Sequence, residues 1–219
     1  PAGIAATVAG PYAGPLRALL VALKHSGRTG FARELGARLH APLRAACNRA
    51  GGTSVPLIVA VPSRPSRVRE RGYRHVDLLV RAALRTEART RPGHEAARFA
   101  PRVLRAQRGR TSQVGLSATE RQRNAALIEV RPPARRRLKG CEVVLVDDVV
   151  TTGATVLAAS RALTAAGARV IAVVALCAVE RRSARPARPA HPAYPAHAPE
   201  SVQFRAEPLP EWKTQWQPE

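Results

Sequence analysis

The chain has 219 residues, 45% hydrophobic but only 4% aromatic, which suits one domain of ordinary size with extensions and a core of Ala, Val and Leu. No run of about 18 uncharged apolar residues occurs, so no membrane-spanning helix is expected. The formal net charge is +21, almost all of it arginine, since the lysines are Lys24, Lys139 and Lys213; such a field attracts any polyanion and singles out none.

Residues 1–10 lack a basic stretch followed by an apolar one, so no secretory signal is read there. The chain contains no methionine, and its natural start is expected upstream of Pro1. Leu16, Leu19, Leu20 and Leu23 recur at spacings of three and four and predict a helix from Tyr12 to Lys24, ended by His25-Ser26-Gly27. A second helix is expected over Phe31 to Ala50, with Leu35, Leu39 and Leu43 on one stripe and Gly51-Gly52 as its stop. Pro56 to Val61 is an apolar run bounded by prolines and predicts a buried strand. Pro62 to Gly72 reads as a basic loop, Val76 to Leu84 as a helix, and Arg85 to Pro101 as a surface insertion without period.

Arg105 to Ser117, rich in Arg, Gly, Ser and Gln, predicts a mobile loop, and Ser117 with Glu120 forms a capping box for a short helix to Asn124. Ala126 to Val130 is a possible strand. Val143 to Val146 is a strong one, Gly153 to Ala166 a helix closed by Gly167, and Val170 to Cys177 a further buried strand. Strands too apolar to alternate, in strand–helix–strand order, imply parallel pairing with a right-handed crossover. Cys47, Cys141 and Cys177 are far apart, with no CxxC pair. Neither a zinc site nor a disulfide framework is supported, Cys141 and Cys177 are expected as core residues within strands, and a cytoplasmic setting fits. From Arg181 the chain turns to Pro-Ala repeats with His, Arg and Tyr. Residues 181–219 read as a disordered tail, with Trp212 and Trp216 as possible anchors.

The informative stretch is Val143-Val144-Leu145-Val146-Asp147-Asp148-Val149-Val150-Thr151-Thr152-Gly153-Ala154-Thr155. A buried strand stops at two adjacent carboxylates, a short loop of hydroxyls and glycine follows, and a helix begins within it. Backbone N–H groups at a helix start cradle phosphate, and the helix dipole favours the anion. Gly153 permits a close backbone approach and positive φ, Thr151, Thr152 and Thr155 add hydroxyls, and Asp147 and Asp148 suit the vicinal hydroxyls of a ribose. The alternative, a plain helix cap with a flexible turn, leaves two acids at the end of a buried strand unexplained.

This stretch resembles the phosphoribosyl-diphosphate (PRPP) motif of type I phosphoribosyltransferases. The chain around it resembles the ComF/GntX branch: Tyr12, Leu16-Arg17, Leu23-Lys24 and Gly27, then Val61-Pro62 and Arg69-Glu70-Arg71-Gly72-Tyr73, then Leu104-Arg105, Arg110-Thr111, Gln113, Leu116-Ser117, Glu120-Arg121 and Asn124. The likeness spans about residues 12–179. Two features depart from it. The cysteine cluster that binds zinc in many ComF relatives is not among these residues, being either lost or upstream of residue 1, and the usual Arg-Gly-Phe-Asn-Gln stands here as Arg71-Gly72-Tyr73-Arg74-His75.

The resemblance implies an α/β fold of the type I phosphoribosyltransferase kind, with a mainly parallel central sheet flanked by helices. It divides the chain into a small N-terminal helical hood over residues 1–52, a core over 53–180 and the tail. It implies transfer of phosphoribosyl from PRPP to a nitrogen acceptor, with Mg²⁺ held through PRPP rather than by a direct protein cage. Asp147, Asp148, Thr151, Thr152, Gly153, Ala154 and Thr155 would bind PRPP, and Asp147 and Asp148 would act in catalysis. Ser63, Arg64 and Arg67 would form the diphosphate loop. Arg108 or Arg110 would reach the leaving diphosphate from the mobile loop, Arg121 and Asn124 would serve as supports, and Lys24 would face an anionic acceptor or the diphosphate from the hood. His25 and His75 could serve as general bases by residue type, with a solvated or packed histidine the competing reading. The resemblance also raises a non-catalytic role in DNA uptake with single-stranded DNA as partner, a PRPP-sensing role, and a homodimer. The low aromatic content argues against a base-stacking platform.

Overall fold

A computed structural model describes residues 6–50, 55–93, 97–106 and 128–179. The expected helix at 117–124, the loop residues from 107 onward with Arg108 and Arg110, and the tail at 181–219 lie outside the described residues. In chain order the elements are β1 (Ala6–Val8), α1 (Gly14–His25), α2 (Phe31–Cys47), β2 (Leu57–Ala60), α3 (Pro65–Arg71), α4 (His75–Thr90), β3 (Arg98–Phe99), β4 (Leu104–Ala106), β5 (Ile128–Val130), α5 (Pro132–Leu138), β6 (Glu142–Val150), α6 (Ala154–Ala165) and β7 (Arg169–Ala178).

Five strands form one sheet in the order β1-β7-β6-β2-β3, and every pairing in it is parallel. The α/β class and the parallel sheet flanked by helices are as the sequence implies. Alternation along the strands divides the interior. Ile58, Val144, Val146, Ala172, Val174 and Leu176 face α1, α2 and α4. Val59, Val143, Leu145 and Val173 face the other way, onto Ala159 and Leu163 of α6, Leu138 of α5 and the β4–β5 pair. Both faces are covered, which is why these strands are apolar throughout. β4 and β5 pair antiparallel beside this second layer.

The N-terminal elements share this core: β1 pairs with β7, and Leu35 and Leu39 of α2 are fully buried. α2 lies against α4 so closely that a Cβ on Gly36 would fall 2.3 Å from the Cβ of Ala82. The same seam holds a hydrogen bond between His40 Nε2 and Glu87 Oε2. Burial, then the nearby Glu87 carboxylate, pushes the Cys47 thiol up to about 12.

Five expectations change, the first being that Arg105 and Ala106 belong to β4 rather than to a mobile loop. Pro62 to Gly72 is not wholly loop: Pro65 starts a helix in the first-turn position where its missing N–H is no loss, and Gly72 at φ +78 ends it by donating to Val68 O at 2.9 Å. Arg85 to Pro101 is not an insertion, since α4 runs on to Thr90 and Arg98–Phe99 is the edge strand of the main sheet. β6 does not stop at the carboxylates but continues to Val150. Cys141 is not in a strand: it occupies the turn before β6, where its thiol contacts Arg137 O at 3.0 Å. Among the described residues no helix is long and apolar enough to cross a membrane.

Candidate active site

The site grows out of a mismatch in strand length. β2 and β6 are parallel neighbours, and their ladder ends at Ala60 opposite Val146, with one further bond from Val61 N to Val146 O at 2.8 Å. Beyond that point β6 is carried on by β7 alone, which pairs with Asp147, Val149 and Val150. The far edge of Asp147–Val150 is therefore open. Chain direction widens the gap: β6 proceeds through α6 to β7 on one side, whereas β2 proceeds through α3 and α4 to β3 on the other. Ligand crevices in open parallel sheets form at such a reversal, outside the carboxyl ends of the strands.

A cavity of about 380 Å³ occupies this place. It is bounded by Ser63, Arg64 and Arg67 after β2, by Asp147, Asp148 and Thr155 from the β6–α6 segment, by Lys24 and His25 at the end of α1, and by Arg71 and His75 around the α3–α4 turn. The structure thus brings together the sequence-selected Lys24, Ser63, Arg64, Arg67, Asp147, Asp148 and Thr155. Thr151, Thr152, Gly153 and Ala154 form the adjoining turn rather than the cavity wall. Gly153 takes φ +77 as the cap of α6, a left-handed conformation that only glycine adopts without cost. Its carbonyl accepts from Leu157 N at 2.8 Å, while Thr151 and Thr152 are exposed.

Successive strand residues point to opposite faces, so the two carboxylates have different surroundings. Asp148 lies on the α1–α4 side. Its Oδ2 takes the Lys24 ammonium at 2.6 Å and the Nε2 of His75. His75 Nδ1 accepts from Arg71 Nη1 at 2.7 Å, which places the ring proton on Nε2, toward Asp148. Ser63 Oγ lies 3.4 Å from the same Nδ1. Burial opposes ionisation of Asp148, but the hydrogen bond from His75 and the Lys24 ammonium outweigh it and hold the carboxyl well below the usual range. Asp147 lies on the α6 side, and its Oδ1 accepts from Asp148 N at 2.8 Å. Burial, then the neighbouring Asp148 charge, raises its carboxyl well above the usual range. One acid is a fixed anion and the other readily holds a proton.

A consequence for stability follows from Asp147. With its folded value raised, its contribution is full below about pH 4, the unfolded carboxylate range, and is lost as pH rises through the folded value. Asp147→Asn keeps the accepting oxygen and removes that loss. Thermal denaturation at pH 7 should show a rise in Tm that vanishes below about pH 4.

Arg71 is a site residue that reading the sequence did not select, and His75 is one it raised as a base by residue type alone. His75 is buried, not solvated, and joins the α3–α4 turn to Asp148. The signal was present in the departure from the usual Arg-Gly-Phe-Asn-Gln, where an imidazole stands in place of an amide.

Comparison with curated proteins finds no match. Among solved structures, UMP synthase of Leishmania donovani is similar at 19% identity over 73% of this chain and 24% of that one, with a TM-score of 0.36. An allosteric regulatory enzyme of purine biosynthesis is similar at 18% identity over 66% of this chain and 25% of that one, with a TM-score of 0.34. A hypoxanthine phosphoribosyltransferase of Staphylococcus aureus is similar at 13% identity over 67% of this chain and 62% of that one, with a TM-score of 0.35. The chain spans about a quarter of the first two structures' length and less than two thirds of the third's. The family model for the phosphoribosyl transferase domain matches residues 96–206, a span that holds β6, the paired acids, the Gly153 turn and α6, and on that match the chain belongs to the phosphoribosyl transferase domain family.

Proposed function

We propose that this protein binds PRPP in the 380 Å³ cavity and transfers its phosphoribosyl group to a nitrogen nucleophile, as a member of the ComF branch. The observation that carries the reading is the convergence on one cavity of an acid pair, an arginine loop and Thr155 of α6, with the turn capped by left-handed Gly153 adjoining it. The backbone amides after Gly153, with Thr151, Thr152 and Thr155, would grip the 5′-phosphate. Asp147 and Asp148 would hold the ribose hydroxyls. Lys24 and His75 both contact Asp148 through Oδ2. Ser63, Arg64 and Arg67 would take the diphosphate, and the hood, ending at Lys24 and His25, would cover the acceptor.

The bond from C1 to the diphosphate oxygen breaks with its electron pair leaving on the diphosphate, and nitrogen closes on C1. These residues act by positioning the ring and countering charge on the leaving group. Among the described residues no group of three or more His, Cys, Asp or Glu could hold a metal ion. Mg²⁺ would arrive on the oxygens of PRPP and would supply charge neutralisation there.

The test is calorimetric titration of the full chain with PRPP and MgCl₂, with diphosphate release followed over a panel of nitrogenous bases. Saturable binding below millimolar PRPP is expected. Gly153→Val should weaken it about tenfold or more, because a β-branched residue in the left-handed region costs about 1–2 kcal/mol and turns the amides away. No heat at millimolar PRPP would overturn the proposal. Binding without release over the whole panel would leave PRPP sensing in its place.

A further inference from the structure

A second cavity, of about 400 Å³, opens on the other side of the α3–α4 turn and takes no part in the chemistry proposed above. Its walls carry Arg74, Arg81 and Arg102, one carboxylate, Asp77, and the apolar surfaces of Val68, Tyr73, Leu78 and Pro101. The three guanidinium groups come from three places: the residue before α4, the exposed face of α4, and the turn between β3 and β4. All three act electrostatically on Asp77, whose own ionisation is opposed first by burial. Three positive charges against one negative leave the cavity two charges in surplus.

Two details show that this convergence is shaped. Arg102 is the one non-glycine residue with positive φ among the described residues, at +58. Such a conformation is uncommon for a side chain of this size, and strain of this kind gathers at ligand sites. Arg81 stands over the Phe99 ring at 5.2 Å, an arrangement that leaves the planar edges of the guanidinium free to bond.

We infer that this cavity is a binding site for a small phosphate monoester, independent of whatever the first cavity holds. Guanidinium forks match the oxygens of a phosphate dianion, which uses the charge surplus. The volume exceeds that of bare phosphate, and the Tyr73, Leu78 and Pro101 surfaces offer an apolar wall to an attached organic body such as a nucleoside.

Arginine footprinting with phenylglyoxal, read by mass spectrometry on the full chain, separates the two cavities. Adenosine 5′-monophosphate is the probe, with inorganic phosphate for comparison. The nucleotide should protect Arg74, Arg81 and Arg102, and inorganic phosphate should do so only at about tenfold higher concentration. The double variant Arg81→Gln/Arg102→Gln should lose affinity for the nucleotide at least tenfold, whereas Arg67→Gln, in the first cavity, should retain this binding. Asp77→Asn, which removes the opposing charge, should bind severalfold more tightly. Protection confined to Arg64, Arg67 and Arg71 would overturn the inference, as would unchanged affinity in the double variant. So would equal protection by a short oligodeoxynucleotide without terminal phosphate that disappears as salt rises, since that is general polyanion attraction. Footprinting of the unaltered chain decides the matter even if a variant fails to fold.

Discussion

Asp148→Asn should reduce PRPP affinity and turnover together by about two orders of magnitude, because a hydrogen bond to a charged group contributes about 1.5–3 kcal/mol and here it aligns the reacting sugar. The asparagine still accepts from His75 Nε2, but it no longer neutralises Lys24, which sits 2.6 Å from the carboxylate in the wild type. Removing one partner of a largely buried pair leaves the other uncompensated, at a cost of about 3–5 kcal/mol when burial is complete. Lys24 retains some solvent, so the expected loss is smaller, about 2 kcal/mol, or roughly 4–8 °C in Tm. The pH dependence should mirror that of Asp147. The depressed Asp148 carboxyl stabilises the fold above the unfolded carboxylate range and yields only as pH falls through its still lower folded value. The difference between wild type and Asp148→Asn should therefore be flat from about pH 5 upward and shrink only in strong acid. Denaturant titrations across pH, paired with PRPP calorimetry, check both halves. A variant that binds PRPP as the wild type does would remove Asp148 from the site.

The largest effect on the fold is expected at Gly36. An added methyl there would lie 2.3 Å from Ala82 Cβ, 2.9 Å from Ala83 N and 3.0 Å from Ala82 C. Two of those three atoms are backbone, so the helices themselves would have to part. Overpacking of a core usually costs about 1–3 kcal/mol. A contact that pushes on main chain belongs at or above the top of that range, and Gly36→Ala should lower Tm by roughly 6–12 °C. Adding Ala82→Gly removes the nearest atom and should restore part of the loss, although glycine within α4 itself costs about 1 kcal/mol. Thermal melts of the single and double variants decide it. Additive destabilisation would mean that α2 and α4 do not meet at this pair.

What could be read in the sequence, and what could not, divides by how far each signal reaches along the chain. The stripe of Leu35, Leu39 and Leu43 and the run Val143 to Val146 are local and unambiguous, and both elements formed, although α2 ends at Cys47 and β6 runs on to Val150. The paired acids looked like a strand end because carboxylates rarely belong in a buried ladder. They remain in it because β7, ten residues long, continues to offer partners. Nothing near Asp147 in the sequence carries that information. α3 escaped notice because it buries none of its residues and its charged run lacks any apolar period. β1 is three residues of Ala, Thr and Val, and only its pairing with β7 makes it a strand. The acid pair, the Gly153 turn and the loop after β2 were legible as candidates from their motif. The role of His75 was not, since what matters is its position opposite Asp148, 73 residues further along the chain.

β1 also bears on how the molecule is made. Ala6, Thr7 and Val8 pair with Val173, Val174 and Ala175, so the border of the sheet closes only when segments more than 160 residues apart meet. A ribosome delivers the first long before the second. During that interval the apolar stripe of α2 has no β7 to rest against, and the early half of the chain emerges sticky and unfinished. Topologies with such distant pairings fold slowly and expose hydrophobic surface on the way. Lower soluble yield when chaperones are depleted during synthesis is the expected consequence of this strand order.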